Sequence, residues 1–271
     1  MERLGLDLQS AFGMPPLEYV AFAADIGCGH VTTGLAPVPW NPCNFPAWSL
    51  RDDAALRNDL KALMRDRGVR LSVASGFSLR PGTNVRDYAA DMDLAADLGA
   101  LQIGTVGMDP DIARAHDQLA ALTEMAADRG METVLDYAPH HPINTLPLAL
   151  AAIRHTGSPR ARLSIDAMHF FRSGGGLHEL KGLDPALIGY AQVCDVALAA
   201  PHGDYGREAT FERLSPGDGE LPLAAFVAAL PQDVLIGVET PNLAAAEAGR
   251  LRDFITRAVT ASEHLLNSAA R

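Results

Sequence analysis

The chain has 271 residues, 48% of them hydrophobic and 20% charged, so it carries enough apolar material for a full core and lacks the composition of a disordered protein. Its net charge of −11 argues against a nucleic-acid partner, because that affinity comes mainly from Lys and Arg on phosphates. Cys28, Cys43 and Cys194 are too widely spaced for a CxxC motif, and no secretory or membrane-spanning segment is recognisable. We therefore expect a cytoplasmic protein without a membrane partner.

Eight short β-type runs recur along the chain, each followed by a polar or glycine-rich turn and then by an alanine-rich stretch. Strands that alternate with helices indicate parallel pairing with right-handed crossovers. The predicted strands are residues 4–8, 30–33, 69–75, 101–106, 133–137, 162–166, 188–193 and 234–239.

Helical patterns lie between these strands, the clearest at residues 53–67, 85–98 and 116–129, where Ala, Leu and Met recur at three- and four-residue intervals. Glycines stand where several helices should end, a position that favours a left-handed residue. These are Gly27, Gly68, Gly99 and Gly130.

Eight strand-helix units favour closure of the sheet, so we predict an α/β protein with one (β/α)8 TIM-barrel domain over residues 1–271. A doubly wound open sheet is the alternative, but the turn after its first strand lacks a GxGxxG motif. The long segments 34–49 and 197–219 follow strands two and seven and are expected over the barrel mouth.

Carboxylates terminate three of the late strands, at Asp136, Asp166 and Glu239, and Gln192 lies near the end of strand seven. Because the carboxyl ends of barrel strands converge, three such groups would repel one another unless a cation or shared protons neutralised them. This all-oxygen set predicts a divalent metal ion, Mn²⁺ or Mg²⁺ first, with Fe²⁺, Co²⁺ or Zn²⁺ as alternatives. Asp136 and Asp166 could instead cap helices, a role for which Glu239 is poorly suited.

Three segments of the second half resemble the sugar phosphate isomerase/epimerase superfamily, the xylose isomerase-like TIM barrels. Residues 165–169 (IDAMH) resemble its strand-six signature of Asp followed three residues later by His. Residues 216–221 (PGDGEL) resemble its glycine-acidic-glycine-Glu segment, and Val238 with Glu239 resembles its strand-eight end. The resemblance extends over essentially the whole chain.

The resemblance implies a metal held by Asp136, Asp166, Gln192 and Glu239. Two of these positions depart from the family pattern. The family usually has Glu where Asp136 stands, and its sugar epimerases have His where Gln192 stands; Gln there is more reminiscent of 3-dehydroshikimate dehydratases. Asp136 is one methylene shorter than the Glu it replaces, which puts a two-base epimerisation in question.

The expected chemistry is proton abstraction next to a metal-chelated carbonyl. The candidate catalytic groups are Glu239, His169 and Asp136, with His140 and His141 also available from the loop after strand five. The candidate substrate-binding residues lie on the loops over the barrel mouth, and they are Arg207, Trp40, His140 and Arg80.

The sequence accordingly predicts a metal-dependent isomerase or epimerase of a sugar or related polyhydroxy carbonyl compound. A dehydratase, similar to 3-dehydroshikimate or inosose dehydratases, is the second hypothesis, and a non-catalytic metabolite-binding barrel is the third. An endonuclease of the same superfamily is opposed by the net charge of −11. The expected partner is a small sugar-like molecule, and the sequence leaves open whether the chain forms a homo-oligomer.

Overall fold

The computed structural model describes residues 3–269 and shows a closed barrel of eight parallel strands in chain order, with the last strand paired to the first. Each strand is followed by at least one helix on the outside of the barrel. The strands are β1 (Leu4–Leu6), β2 (His30–Thr33), β3 (Arg70–Ala74), β4 (Gln102–Val106), β5 (Glu132–Asp136), β6 (Ala161–Asp166), β7 (Ile188–Val193) and β8 (Leu235–Val238).

The helices differ in length, and the longest follows β8 and packs against α9 (Leu223–Ala229) and the outside of the barrel. None of the helices within residues 3–269 has both the length and the apolar character needed to cross a membrane. They are α1 (Pro16–Asp25), α2 (Ala54–Arg67), α3 (Ala89–Asp97), α4 (Ile112–Ala127), α5 (Leu146–His155), α6 (Ala167–Arg172), α7 (Leu177–Lys181), α8 (Tyr205–Phe211), α9 (Leu223–Ala229), α10 (Leu243–Glu247) and α11 (Leu251–Ala269).

The predicted fold is confirmed, and the differences at element ends have local causes. The first strand stops at Leu6 instead of residue 8, because Asp7 caps a 3-10 helix over Leu8–Ala11 by accepting a hydrogen bond from the Gln9 amide. The fourth helix begins four residues earlier than predicted, since Asp111 caps it. The four glycines predicted at helix ends all have positive φ.

Small residues on three strands make room for the side chains that fill the barrel. A Cβ atom on Gly104 would lie 2.9 Å from Val73, and one on Gly189 would lie 2.8 Å from Val134. At Gly237 a Cβ would collide with the hydroxyl of Tyr190. Val73, Val134 and Tyr190 form a buried cluster inside the barrel, so its interior is a packed floor and the open space lies above the carboxyl ends of the strands.

Candidate active site

A cavity of about 500 Å³ opens at the carboxyl ends of the strands. Asp136 on β5 and Gln192 on β7 line it, together with Glu239, the residue after β8. Asp7, the residue after β1, also lines it. The predicted convergence of polar strand ends is therefore present, and β1 contributes a carboxylate that was not among the candidates.

Asp166 is the last residue of β6 and has two roles. Its Oδ1 atom accepts a hydrogen bond of 2.8 Å from the amide of His169 and so caps α6. Its Oδ2 atom lies 2.6 Å from Nη1 of Arg213. The capping interpretation considered for this residue is thus fulfilled by one oxygen, and the other oxygen forms an ion pair that the sequence did not predict.

Glu239 is 3% exposed, and its Oε2 atom lies 2.9 Å from the same Nη1 atom of Arg213. Burial raises the pKa of Glu239 well above its usual value, and the attraction of Arg213 offsets only part of that rise. Repulsion from the neighbouring carboxylates of Asp7 and Asp166 adds to it. The Glu239 carboxyl is therefore suited to hold and release a proton nearer to neutral pH than an exposed glutamate.

Arg213 is one of three site residues, with Asp7 and Tyr205, that sequence reasoning missed. Its side chain is 2% exposed, and its Nε atom donates to the carbonyl oxygen of Ala209 at 2.7 Å. Although burial disfavours the charged guanidinium, the carboxylates of Asp166 and Glu239 raise the pKa of Arg213 well above its usual value. Arg213 lies in the non-periodic segment after β7, so its one sequence signal was its place directly before the family-like segment 216–221.

Asp7 and Gln192 are joined across the floor of the site. The Nε2 atom of Gln192 donates to Oδ2 of Asp7 at 3.2 Å, and the Ser164 hydroxyl donates to Oε1 of Gln192 at 3.2 Å. Burial raises the pKa of Asp7. The sequence did contain a signal for Asp7, since it is an acidic residue after an apolar strand, but the strand was predicted to continue through it.

Asp136 lies on the opposite side of His169 from Tyr205. Its Oδ1 atom accepts a hydrogen bond from the amide of Tyr137 at 2.9 Å, and its Oδ2 atom lies 3.7 Å from Nε2 of His169. Burial raises the pKa of Asp136 well above its usual value, and the nearby Asp166 carboxylate raises it further. Asp136 caps no helix, so the capping interpretation does not apply to it.

His169 connects Asp136 to a tyrosine of the loop after β7. Its Nδ1 atom lies 2.5 Å from the hydroxyl of Tyr205, the first residue of α8. Burial lowers the pKa of His169 to about 4, so the imidazole is neutral at pH 7, with one ring nitrogen as a hydrogen-bond acceptor and the other as a donor. Tyr205 was not a sequence candidate, because nothing in the pattern brings residue 205 to the end of β6.

The site carries more negative than positive charge. Four buried or half-buried carboxylates face one guanidinium and a neutral imidazole. Such an excess fits a divalent cation by charge and by the oxygen chemistry of its donors. As folded, no three His, Cys, Asp or Glu side chains of residues 3–269 stand together closely enough to form a metal site, and Arg213 contacts Asp166 and Glu239, two of the four expected ligands.

The predicted substrate-binding residues divide into two groups. Arg80 and Trp40 line the cavity, and Trp40 packs its ring edge against Phe211. His140 does not line the cavity, and its ring packs against that of Tyr205. Arg207 does not line the cavity; it is exposed and pairs with Glu212 at 2.6 Å.

The segment 216–221 is organised by Asp195 and does not reach the cavity. The Asp195 side chain is buried and accepts hydrogen bonds from the amides of Gly217, Leu221 and Val196, at 2.9, 3.0 and 2.9 Å. A Cβ at Gly219 would lie 2.6 Å from the carbonyl oxygen of Val196 and would also collide with the Asp195 carboxylate. This segment therefore holds the loop that carries Arg213.

Solved structures with the same fold are numerous. The three that follow share less than 25% sequence identity with this chain, so the likeness shows the fold alone. An IolI protein with a bound zinc atom has a TM-score of 0.80 at 16% identity, over 98% of this chain and 99% of that chain. The probable 3-DHS dehydratase AsbF from Bacillus anthracis has a TM-score of 0.76 at 13% identity, over 96% and 98%. The D-allulose 3-epimerase from Methylomonas sp. has a TM-score of 0.69 at 17% identity, over 97% of both chains.

No curated protein sequence matches the chain significantly. A sequence model of the xylose isomerase-like TIM barrel family matches residues 20–257, which is most of the chain. These residues include β2 to β8 and the acidic strand ends Asp136, Asp166 and Glu239, while β1 precedes them. The chain therefore belongs to the xylose isomerase-like TIM barrel family.

Proposed function

We propose that the protein is a divalent-metal-dependent isomerase or epimerase that moves a proton next to the carbonyl of a sugar or related hydroxy-carbonyl compound. The observation that carries the proposal is the excess of carboxylates at one cavity, with Asp7, Asp136 and Glu239 lining it and Asp166 behind them. Repulsion between such groups lowers the stability of the fold, and clusters of this kind are typical of functional sites. The similar IolI protein contains zinc, and D-allulose 3-epimerase is named for a sugar.

Asp136, Asp166, Gln192 and Glu239 would hold the ion, which requires Arg213 to release the carboxylates of Asp166 and Glu239 that it contacts in this structure. When bound, a divalent ion polarises a chelated carbonyl and stabilises the negative charge that develops on its oxygen. The amide of Gln192 is already oriented by Ser164 and Asp7, which fixes the direction of its oxygen. We propose Mn²⁺ or Mg²⁺ as the first choice, because every donor is an oxygen.

The proton transfers belong to the residues of the chain. Glu239 has a raised pKa and lines the cavity, which suits it to take a proton from a carbon beside the carbonyl and to return it. His169 and Asp136 form a second proton-holding pair, with 3.7 Å between Nε2 and Oδ2. Two such groups at one cavity allow removal and return at different positions, which is what isomerisation or epimerisation needs.

Dehydration is the second candidate, and Gln192 favours it. Gln192 stands where the sugar epimerases of the family have His, and Gln at this position resembles the 3-dehydroshikimate dehydratases; its amide nitrogen donates to Asp7 and its oxygen accepts from Ser164. The half-reaction that removes the proton is shared, and expulsion of a β-hydroxyl would complete a dehydration. The similar structure of a probable 3-DHS dehydratase agrees with this alternative.

The proposal is tested by proton NMR in D₂O, with a panel of hydroxy-carbonyl compounds and MnCl₂. We expect enzyme-dependent exchange of a carbon-bound proton next to the carbonyl in at least one compound, followed by an isomer or by a product that has lost water. Glu239→Gln and Asp166→Asn should abolish exchange while the exposed control Glu247→Gln retains it. A protein that binds compounds of the panel but exchanges no proton would be a non-catalytic binder, and the proposal would be wrong.

A further inference from the structure

The cavity has two chemically different walls. The carboxylates and the Gln192 amide come from β1, β5, β7 and β8. The segment after β2 and the strands β3 and β4 with their loops contribute mainly apolar side chains. These are Pro37, Val38, Trp40, Phe77, Val106 and Met108.

A neutral polyol fits this second wall poorly. Each hydroxyl group of a sugar that enters a protein loses hydrogen bonds to water and must find new partners, or it costs free energy. Val106 and Met108 offer no such partners, and both are only partly buried by the protein itself. An apolar part of a substrate would cover them and gain from removal of their surface from water.

One permanent positive charge stands at the rim of the apolar wall. Arg80 is the one Lys or Arg among the described residues that line the cavity. Its Nε atom donates to the hydroxyl of Ser78 at 2.9 Å, which fixes the guanidinium near the loop after β3. It forms no ion pair with any carboxylate of residues 3–269, although the chain has 33 acidic residues and 22 basic ones.

A second polar group near Arg80 has a ring nitrogen without a hydrogen-bond partner. His141 lines the cavity, and its Nδ1 atom is enclosed with no hydrogen-bond partner among the described residues. Its ring is neutral at pH 7, since burial lowers the pKa of His141 to about 4 and the charges of His140 and Arg80 act in the same direction. Buried ring nitrogens normally have a hydrogen-bond partner, so a bound ligand is expected to supply the one that the described residues do not.

We propose that the substrate is an anionic hydroxy-carbonyl compound with an apolar segment, whose carboxylate or phosphate binds Arg80 while its hydroxy-carbonyl end meets Asp136, Gln192 and Glu239. This inference rests on the proposed function and narrows its substrate class away from neutral sugars. A guanidinium without a carboxylate partner binds an anion with charge-assisted hydrogen bonds, and the apolar side chains of the same wall would contact the apolar segment of the substrate.

The test measures the dissociation constants of four probes by titration calorimetry in buffer with MnCl₂. The probes 5-hydroxy-4-oxopentanoate and its methyl ester share a hydroxyketone and two methylene groups, and they differ in charge and in the one methyl group of the ester. Dihydroxyacetone phosphate carries a phosphate in place of the carboxylate, and D-fructose is the neutral polyol. We expect the carboxylate or the phosphate to bind at least about tenfold more tightly than the ester and D-fructose.

Two variants and a matched control locate the contacts. Arg80→Gln should abolish the advantage of the anionic probe, whereas Arg86→Gln, an exposed arginine that does not line the cavity, should retain it. Met108→Gln keeps the length of the side chain. It should raise the dissociation constants of the pentanoate and its ester by about fourfold and leave that of D-fructose unchanged. Preference for dihydroxyacetone phosphate that depends on Arg80 would identify the anion as a phosphate.

Equal or tighter binding of D-fructose, an unchanged anion preference in Arg80→Gln, or no binding of any probe would overturn the inference. Failure here differs from failure of the proposed function. Turnover of a neutral sugar with an unchanged kcat/KM in Arg80→Gln would leave proton transfer in place and refute the substrate class. Arg80-dependent binding without any proton exchange would support the substrate class and refute the proposed proton transfer.

Discussion

Nη1 of Arg213 lies 2.6 Å from Oδ2 of Asp166, so a residue of the loop after β7 is bound directly to the end of β6. Both side chains are almost fully buried, and the same nitrogen contacts Glu239 at 2.9 Å. Charge that is buried in this way must be matched, because a lone ion in the protein interior is costly. Arg213 therefore holds the loop after β7 against the strand ends and supplies the counter-ion for two of their carboxylates.

Replacement of Arg213 by Met should destabilise the protein at pH 7 by about 3–5 kcal/mol, because two buried carboxylates lose their counter-ion. Without Arg213 the pKa values of Asp166 and Glu239 rise in the folded state, so stability is retained where both groups are protonated and is lost as pH rises. The deficit should be smaller at pH 5 than at pH 7. Urea unfolding at the two pH values measures it.

The exposed pair of Arg207 and Glu212 supplies the control for this experiment. Its two atoms are 2.6 Å apart, but the arginine side chain is 62% exposed. Arg207→Met should therefore change the free energy of unfolding by no more than about 1 kcal/mol. Equal effects of Arg207→Met and Arg213→Met would show that the buried pair contributes nothing beyond a surface contact.

Asp136→Asn should make the protein more stable at neutral pH, by on the order of 1 kcal/mol, in buffer with a chelator. Burial and the Asp166 carboxylate raise the pKa of Asp136 in the folded state above its unfolded value. The wild-type chain therefore loses stability as pH rises from the unfolded pKa through the folded pKa, a loss that the amide avoids. Urea unfolding should show the two proteins equal near pH 3.5 and separated at pH 7; a variant that is less stable at pH 7 contradicts the prediction.

The ends of the strands were predictable from sequence and the centre of the charge network was not. Apolar runs that end in Asp136, Asp166 or Glu239 are local patterns, and barrel closure alone brings such ends together. Arg213 reaches the site through an irregular loop whose path depends on the hydrogen bonds of Asp195. No periodicity in the sequence encodes contacts of that kind.

The same distinction explains the other differences between prediction and structure. Arg207 lies in α8 and Arg213 lies two residues after its end, yet the first is exposed and the second is buried in the site. From the sequence, Arg207 was a candidate for substrate binding and Arg213 was not. Only the three-dimensional path of the loop, fixed by α8 and by the pairing of Asp195 with Leu214, separates them.

Addition of MnCl₂ to chelator-treated protein should raise its melting temperature, because an ion that binds only the folded state stabilises it by mass action. The proposed ligands include Glu239 and Asp136, so the rise should be reduced in Glu239→Gln and in Asp136→Asn. Differential scanning calorimetry across MnCl₂ concentrations measures the shift, with Glu247→Gln as the exposed control. An equal shift in all four proteins would mean that the ion binds elsewhere.

Tyr205→Phe should slow proton exchange by about 10- to 100-fold and leave the fold intact. The hydroxyl of Tyr205 is 2.5 Å from Nδ1 of His169, and its removal frees the imidazole to rotate or to change tautomer. The ring itself, which packs against His140, is retained by phenylalanine. Exchange rates by NMR, compared with those of Tyr88→Phe, whose hydroxyl contacts the carbonyl oxygen of Ser78, test the role of the hydroxyl; equal rates in the two variants would refute it.

Asp195→Asn should reduce stability by about 1–3 kcal/mol, because the amide can accept fewer of the three backbone hydrogen bonds that the carboxylate accepts. Asp195 does not line the cavity, so its effect on catalysis acts through the loop that carries Arg213. The expected signature is a lower urea midpoint together with increased hydrogen exchange at residues 213–221. Loss of activity with unchanged stability and exchange would instead place Asp195 in direct contact with the substrate, against the geometry described here.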